Sequence, residues 1–319
     1  MNPPGRPKGS YRSALHESTP MSPARLRIAH ARASFLQACR LDVAVRKPGN
    51  VSFASPGHGL QAQQFLASAS AAVGPVFEPG ARVGARIEAA TAATWAAVGC
   101  NTNLGILLLC APVAKAIEAE DALAGPAALR AAIEAVLADL DLDDTRAAYA
   151  AIRRANPGGL GDAAAEDVHT EPSLDLRAAM ALAAPRDSIA LQYSNGCAEL
   201  FEWGVPLLWP DYGIQATAAS GAADAATTRR VQRIYLEFLS RRADSHIVRK
   251  HGGAVAHTVM RSAQAWRLVG APGDDPAFTA WDESLKAQRI NPGTSADLTV
   301  AALLMAGVLA PPGAAWHGS

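Results

Sequence analysis

Several features that would reveal a function directly are scarce or missing in this sequence. Only 6% of the 319 residues are aromatic, and the charged side chains balance to a formal net charge of +0. A balanced chain lacks the basic surface that general nucleic-acid binding needs, so we expect no nucleic-acid partner. The longest apolar stretch, from Leu104 to Ala114, is too short to cross a bilayer, so no membrane span is expected.

Cysteine is also scarce. The four cysteines are Cys39, Cys100, Cys110 and Cys197. They form no C-x-x-C pair and no zinc-ligand spacing with histidine, which indicates buried thiols in a reducing compartment. The N-terminal region is basic and rich in Pro, Ser and Gly but has no apolar signal-peptide core, so a cytoplasmic location is expected. Residues 1–28 are predicted to be a disordered extension, and residues 29–312 a single domain.

Alanine is abundant and alternating runs of β-branched residues are missing, which favours helix throughout. The first predicted helix contains the apolar positions from Phe35 to Val43 and ends at Lys47-Pro48-Gly49. The other predicted helices cover residues 60–73, 83–98, 103–120, 126–140, 144–155, 174–183, 187–203, 222–239, 244–250, 253–268, 276–289 and 295–309. We therefore predict an all-α, single multi-helix domain whose active site lies at the loops between helices.

Polar residues gather at the predicted helix ends, and in every segment except residues 244–250 Gly stands beside Asn, Asp, Thr, Ser or Lys. The segments concerned are 46–52, 101–105, 156–161, 244–250 and 291–297. Taken singly, each fits an ordinary helix terminus, because Gly, Asn and Pro end helices and Ser, Thr and Asn cap them. Taken together, they supply the amides, cations and carboxylates that a phosphate-rich ligand with bound Mg²⁺ needs.

These segments contain most of the candidate binding residues. The candidates are Lys47, Gly49, Asn50, Asn101, Thr102, Asn103, Gly105, Gly159, Gly161, Arg249 and Lys250. Lys47 ends a helix, where a cation either matches the helix dipole or contacts a phosphate. Gly105 lies inside a predicted helix at a cost of about 1 kcal/mol relative to Ala, which a close approach of ligand to backbone would offset.

The candidate catalytic residues are Asp167, Glu88 and His58, and the candidate Mg²⁺ ligands are Asp187 and Asp297. His58 lies in a Gly- and Pro-rich loop, so it is either a surface residue or a proton donor that faces the ligand. Each acidic residue is either a surface charge or cap, or a metal ligand or general base.

The ordered set of loops resembles one family. There is no P-loop, no strand-following G-x-G-x-x-G, no G-x-S-x-G and no H-E-x-x-H, so the common nucleotide folds are unsupported. The set consists of Lys47-Pro48-Gly49-Asn50-Val51, Asn101-Thr102-Asn103-Leu104-Gly105, Gly159-Leu160-Gly161 with Asp167 beyond it, Arg186-Asp187, and Asn291-Pro292-Gly293-Thr294-Ser295-Ala296-Asp297-Leu298. In this order, across roughly residues 30–310, the segments resemble the triphosphoribosyl-dephospho-coenzyme A synthase family.

This resemblance implies an all-α transferase that uses ATP as a substrate, with Mg²⁺ expected. ATP and 3′-dephospho-coenzyme A would give 2′-(5″-triphosphoribosyl)-3′-dephospho-coenzyme A and adenine. The transition state carries oxocarbenium character at C1″, so a carboxylate, Asp167 or Glu88, is expected to stabilise it and take the hydroxyl proton. The expected phosphate contacts are Lys47, Arg249 and Lys250, and the residues expected to orient ribose or phosphate are Asn101, Thr102 and Asn103.

The chain also departs from the branch of this family that serves citrate lyase. That branch has Asp where Ser52 stands and His-Lys where Asn103-Leu104 stand. The chain looks more like a divergent branch found in archaea and methylotrophic bacteria. Two alternatives therefore stay open. One is an enzyme of the same fold that acts on another cofactor precursor in tetrahydromethanopterin- or methylofuran-linked one-carbon metabolism. The other is a non-catalytic nucleotide-binding helical protein.

Overall fold

The computed structural model describes residues 22–158, 165–210, 223–270 and 272–311, which fold into α-helices with no β-sheet among them. The helices are α1 Pro23–Ala44, α2 Ala62–Val76, α3 Val83–Val98, α4 Leu104–Ala116, α5 Pro126–Ala138, α6 Leu142–Ala155, α7 Leu176–Ala183, α8 Ser188–Ser194, α9 Ala225–Arg241, α10 Ser245–His251, α11 Gly253–Val269, α12 Pro276–Ala287 and α13 Gly293–Leu309. The predicted all-α class is confirmed. None of the described helices is long and apolar enough to span a membrane.

Many of the helices begin at a side-chain cap. The capping carboxylates, each of which accepts a hydrogen bond from a first-turn amide, are Asp141, Asp175, Asp187, Asp224, Asp244 and Asp275. Helix α1 begins inside the extension predicted for residues 1–28, because Ser22 Oγ accepts from the Arg25 amide at 3.4 Å and Pro23 favours the first turn. Residues 1–21 and the predicted domain end at 312 lie outside the described residues.

The central helix is α13, which packs against α1, α4 and α9 and buries almost its whole surface. Its sequence has no polar face after Asp297, as expected for a helix surrounded by other helices. Burial of each large aliphatic side chain there contributes about 1.5–3 kcal/mol. Because Asp297 lies near the N-terminal end of this helix, the core fixes the position of that carboxyl group.

One predicted helix is interrupted. The prediction of a continuous helix over residues 187–203 is wrong, because α8 ends at Ser194 and the chain turns before a π-helical segment, Leu200–Gly204. Gly196 has φ 66° and Cys197 has φ 59°, both in the left-handed region. A glycine that follows asparagine is a common helix terminator, and here it ends α8.

Candidate active site

A cleft of about 650 Å³ lies where the first turns of α4, α8, α10 and α13 meet residues of α6 and α7. This volume falls within the range of about 300–1,000 Å³ that is usual for small-molecule sites. The predicted site residues that line the cleft are Asn50, His58, Asn101, Thr102, Asn103, Gly105, Asp167, Asp187, Arg249, Lys250 and Asp297. Segments far apart in the chain are thus brought to one cavity.

The other predicted site residues do not line this cavity. Glu88 is exposed on α3, away from the lining residues. Lys47 is fully buried, and its Nζ lies 3.0 Å from Asp42 Oδ1. Gly49 also does not line the cleft. Gly159 and Gly161 lie outside the described residues.

Lys47 acts on the cleft through Asp42, which lines it. Lys47→Met is expected to lower the free energy of unfolding by about 3–5 kcal/mol, since it leaves a buried carboxylate unpaired. Urea denaturation of both proteins measures this loss. The matched control is Lys115→Met, which breaks a partly exposed pair with Glu118 at 2.8 Å and should cost less than about 1 kcal/mol. Equal losses in the two variants would contradict this role of Lys47.

The loop that presents Asn50 to the cleft is held by helices α9 and α12. Asp282 of α12 is fully buried, and its Oδ1 accepts the Gly49 amide at 2.8 Å. Tyr235 of α9 donates its hydroxyl to the Pro48 carbonyl at 2.7 Å. A side chain at position 49 is excluded, because φ is 81° and a Cβ would lie 2.8 Å from a backbone carbonyl oxygen. The loop conformation therefore depends on glycine.

Two histidines line the cleft. His58 Nε2 lies 2.7 Å from the Gly49 carbonyl oxygen. Since a carbonyl only accepts, Nε2 carries the proton and Nδ1 remains an acceptor. Burial, together with the charge of Lys250, lowers the pKa of His58. The pKa of His246 is lowered to about 3 by burial and by the charges of Lys250 and Arg249. At neutral pH, His246 is therefore an uncharged hydrogen-bonding group.

Asp297 is a carboxyl group of the cleft whose pKa is strongly shifted. Its pKa is raised well above the ordinary value by burial first, and then by the negative charges of Asp42 and Asp244. Gly105 provides the room for it, because a Cβ at position 105 would lie only 2.0 Å from Asp297 Oδ2. The glycine predicted to allow close approach of a ligand thus allows close approach of this carboxyl group.

Charged side chains of both signs surround the cleft. Its carboxylates are Asp42, Glu166, Asp167, Asp187 and Asp297, and its cations are Arg186, Arg249 and Lys250. Asp187 Oδ2 lies 2.5 Å from Arg249 Nη1, so this pair neutralises itself. Asp42 is likewise paired, with the buried Lys47. Among the described residues no group of three or more His, Cys, Asp or Glu suits a metal ion, so ligand and water would have to complete its coordination.

The polar residues before α4 are held in place by the protein. Asn101 Oδ1 accepts from the first amide of α4 at 3.2 Å. Thr102 Oγ1 lies 2.6 Å from Ser68 Oγ, and Asn103 Nδ2 donates to Thr94 Oγ1 at 3.2 Å. Each of these side chains is oriented before any ligand arrives, which reduces the entropy lost on binding.

Asp167 is held by a local turn, since its Oδ1 accepts from the His169 amide at 2.8 Å. Part of the cleft wall is apolar. The large apolar residues among the lining include Leu60, Phe65, Trp95, Ile152, Met180, Leu182 and Ile189. Trp95 and Leu182 are among the exposed large hydrophobics of the described chain, with 39% and 48% exposure. A cleft with charged and apolar walls suits a ligand that has both kinds of surface.

The lining residues that were not individual candidates from the sequence include His246, Asn291 and Asp42. His246 and Asn291 stand in the polar segments 244–250 and 291–297, where composition marked the segment but not the residue. Asp42 lies inside α1. Nothing in its local sequence separates it from an ordinary helix carboxylate, and only the packing of α1 against α13 brings it to the site.

Comparisons with known proteins agree with this architecture. A family model described as ATP:dephospho-CoA triphosphoribosyl transferase matches residues 28–313. A crystal structure from Archaeoglobus fulgidus, provisionally named triphosphoribosyl-dephospho-CoA synthase, is similar with a TM-score of 0.59 and 23% sequence identity. That match covers 76% of this chain and 98% of the other, and at this identity it speaks for the fold alone. No curated protein matches the chain.

Proposed function

The chain belongs to the ATP:dephospho-CoA triphosphoribosyl transferase family, and we propose that the cleft described above is where it binds ATP and 3′-dephospho-coenzyme A for that reaction. As a member of this family it is a transferase that uses ATP as a substrate. The observation that carries the proposal is the meeting of Asn50, the 101–105 segment, Lys250 and Asp297 in one cavity. These groups come from four separate parts of the chain.

The triphosphate is held by the cations that remain available. Arg249 is engaged by Asp187 at 2.5 Å, which leaves Lys250 and Arg186 for phosphate oxygens. Lys250 extends over Gly158, where a Cβ would lie 2.9 Å from its Cε. Gly158 therefore lets the lysine side chain cross the loop into the cleft. Asn101, Thr102 and Asn103 orient ribose or phosphate from the start of α4.

Mg²⁺ fits beside Asp297. Magnesium is usually held by one or two carboxylates together with phosphate oxygens and water. Asp297 and Asp42 provide two such carboxylates, whose mutual repulsion contributes to the raised pKa of Asp297. Asp187, the other expected ligand, is paired with Arg249 and Asp42 is paired with Lys47, so either carboxylate would share its charge between that cation and the ion. The ion, when bound, neutralises charge on the triphosphate.

The transfer breaks the bond between C1″ and N9 of adenine and joins C1″ to the acceptor 2′-oxygen. Asp167 stabilises positive charge on the sugar and takes the proton of the acceptor hydroxyl. His58 is a second proton acceptor, through Nδ1. The apolar wall, with Phe65 and Trp95, limits the water that would otherwise hydrolyse ATP at the same carbon.

The test is to incubate the protein with MgATP and 3′-dephospho-coenzyme A and to measure adenine and the joined product by mass spectrometry. Asp167→Asn should lower the rate by about 10²–10⁴-fold, since it removes the general base. Glu88→Gln, exposed on α3 outside the cleft, is the matched control and should keep the wild-type rate.

Absence of adenine at high enzyme concentration would contradict the proposed substrates. Adenine that formed only with another phosphorylated cofactor precursor would favour the alternative acceptor. An Asp167→Asn variant with wild-type activity would remove Asp167 from the mechanism.

A further inference from the structure

Four buried polar atoms of residues that line the cleft have no hydrogen-bond partner in the part of the chain that the structure describes: Asp42 Oδ1, Asn50 Oδ1, His246 Nε2 and Arg249 Nε. Asp42 and Arg249 are ion-paired with Lys47 and Asp187, so the atoms that call for a partner are Asn50 Oδ1 and His246 Nε2. Asn50 is only 5% exposed, and both residues line the cleft. Buried polar atoms almost always have a partner, and an exception at a cleft calls for a ligand group that supplies one.

The two atoms belong to one patch of the cleft wall. Asn50 Nδ2 donates to Asn291 Oδ1 at 3.1 Å, so Asn50 keeps its own Oδ1 free as an acceptor. Gly293 lies close to both His246 and Asn291. A Cβ at position 293 would be 3.3 Å from His246 Nδ1 and 3.8 Å from Asn291 Nδ2. The absence of a side chain at Gly293 leaves room for His246 beside the two asparagines.

This patch offers an acceptor beside a group that donates. Asn50 Oδ1 only accepts, and uncharged His246 donates when its proton is on Nε2. The N6–N7 edge of adenine has the complementary pattern, with a donating amino group and an accepting ring nitrogen. Guanine and hypoxanthine present two acceptors, O6 and N7, on the same edge, so Asn50 Oδ1 would face another acceptor.

We propose that Asn50 and His246, supported by Asn291, form the subsite that reads the N6–N7 edge of the adenine of ATP. This inference rests on the proposed function of the cleft. The lowered pKa of His246 is consistent with it, because an uncharged imidazole keeps the same donor across the physiological pH range.

The subsite also assists the chemistry. A hydrogen bond donated to N7 draws electron density from the ring that contains N9. That ring receives the electron pair when the C1″–N9 bond breaks, so the departing adenine is stabilised. His246 keeps its proton throughout. The acceptor proton goes to Asp167, and the adenine takes a proton from solvent after release.

The experiment compares the binding of ATP, 7-deaza-ATP, purine riboside triphosphate and inosine triphosphate by calorimetry in the presence of Mg²⁺. Wild-type protein should bind each analogue about 10-fold or more weakly than ATP, the effect of one lost hydrogen bond in a buried site. His246→Ala should bind ATP and 7-deaza-ATP equally, because neither finds a donor for position 7.

His246→Gln carries an amide nitrogen near the same place and should restore part of the preference for ATP over 7-deaza-ATP. The matched control is His257→Ala on α11, outside the cleft and exposed, which should discriminate as the wild type does. Circular dichroism melting checks that each variant is folded.

Wild-type protein that binds all four nucleotides equally would overturn the subsite, and so would a folded His246→Ala variant that still rejects 7-deaza-ATP. Because binding needs no turnover, the outcomes separate from those of the proposed function. The His246→Ala variant could lose the preference for ATP over 7-deaza-ATP while the wild type forms no adenine with 3′-dephospho-coenzyme A. That pair of results would support the subsite and contradict the proposed reaction.

Discussion

Asp297→Asn is expected to remove almost all transfer activity while making the protein more stable. In the proposed function this carboxylate would hold Mg²⁺ with the triphosphate, so its loss should lower the rate by about 10²–10³-fold. In the free protein the same group is desolvated and faces the charges of Asp42 and Asp244. Its neutral isostere removes that repulsion and should raise the free energy of unfolding by about 0.5–2 kcal/mol.

The pH dependence of stability follows from the same carboxyl group. In the unfolded chain Asp297 ionises near 3.8, whereas in the folded protein its pKa is raised well above that value. Between the two values the folded state binds the additional proton, so this group makes the free energy of unfolding fall as the pH rises. Asp297→Asn should lose that part of the dependence.

Thermal denaturation from pH 4 upward, with wild type and variant side by side, measures both effects. The gap in melting temperature between variant and wild type should widen as the pH rises, while adenine release stays low throughout. A variant that is less stable than the wild type at neutral pH, or that keeps full activity, would contradict this role of Asp297.

Gly105→Ala is expected to lower activity by about 100-fold, because the new methyl group would lie 2.0 Å from Asp297 Oδ2 and displace that carboxyl group. Misplacement of a catalytic group by about 1 Å has effects of this size. Alanine is the better helix former by about 1 kcal/mol, but the overlap costs about 1–3 kcal/mol, so no net stabilisation is expected.

The matched control is Gly74→Ala in α2, where a Cβ would meet no atom within 4 Å. This variant should gain about 0.5–1 kcal/mol of stability and keep wild-type activity. Initial rates of adenine release and urea denaturation measure both variants. If Gly105→Ala behaved like Gly74→Ala, the close approach at Gly105 would have no functional meaning.

Much of the fold was predictable from the sequence because its helices begin and end at strong local signals. Residues 83–98 were predicted as a helix and form α3, which ends at Gly99 with φ 69°. Residues 126–140 form α5 from Pro126 to Ala138, with proline in the first turn. The sequence does not predict the break after Ser194, because the apolar periodicity continues past it. Asn195-Gly196 is nevertheless a helix terminator.

The site was predictable only where function coincides with a helix end. Asn50 and Asn103 stand in polar segments between helices, Lys250 lies in the last turn of α10, and all three were candidates because they stand at helix ends. Asp42 lies inside a helix and becomes a cleft residue only through tertiary packing. Glu88 is a candidate by charge alone. It lies on the face of α3 that is exposed to solvent rather than packed against other helices. Local sequence does not encode such contacts.

The central claim is that MgATP occupies this one cleft, and Cys100 provides a direct measurement of it. Cys100 lines the cleft and is partly exposed, whereas Cys39, Cys110 and Cys197 are buried. The rate of Cys100 alkylation by iodoacetamide should fall at least several-fold when MgATP saturates the protein, as monitored by mass spectrometry. Nucleotide that raises the melting temperature yet leaves this rate unchanged would show that it binds elsewhere, which contradicts the account.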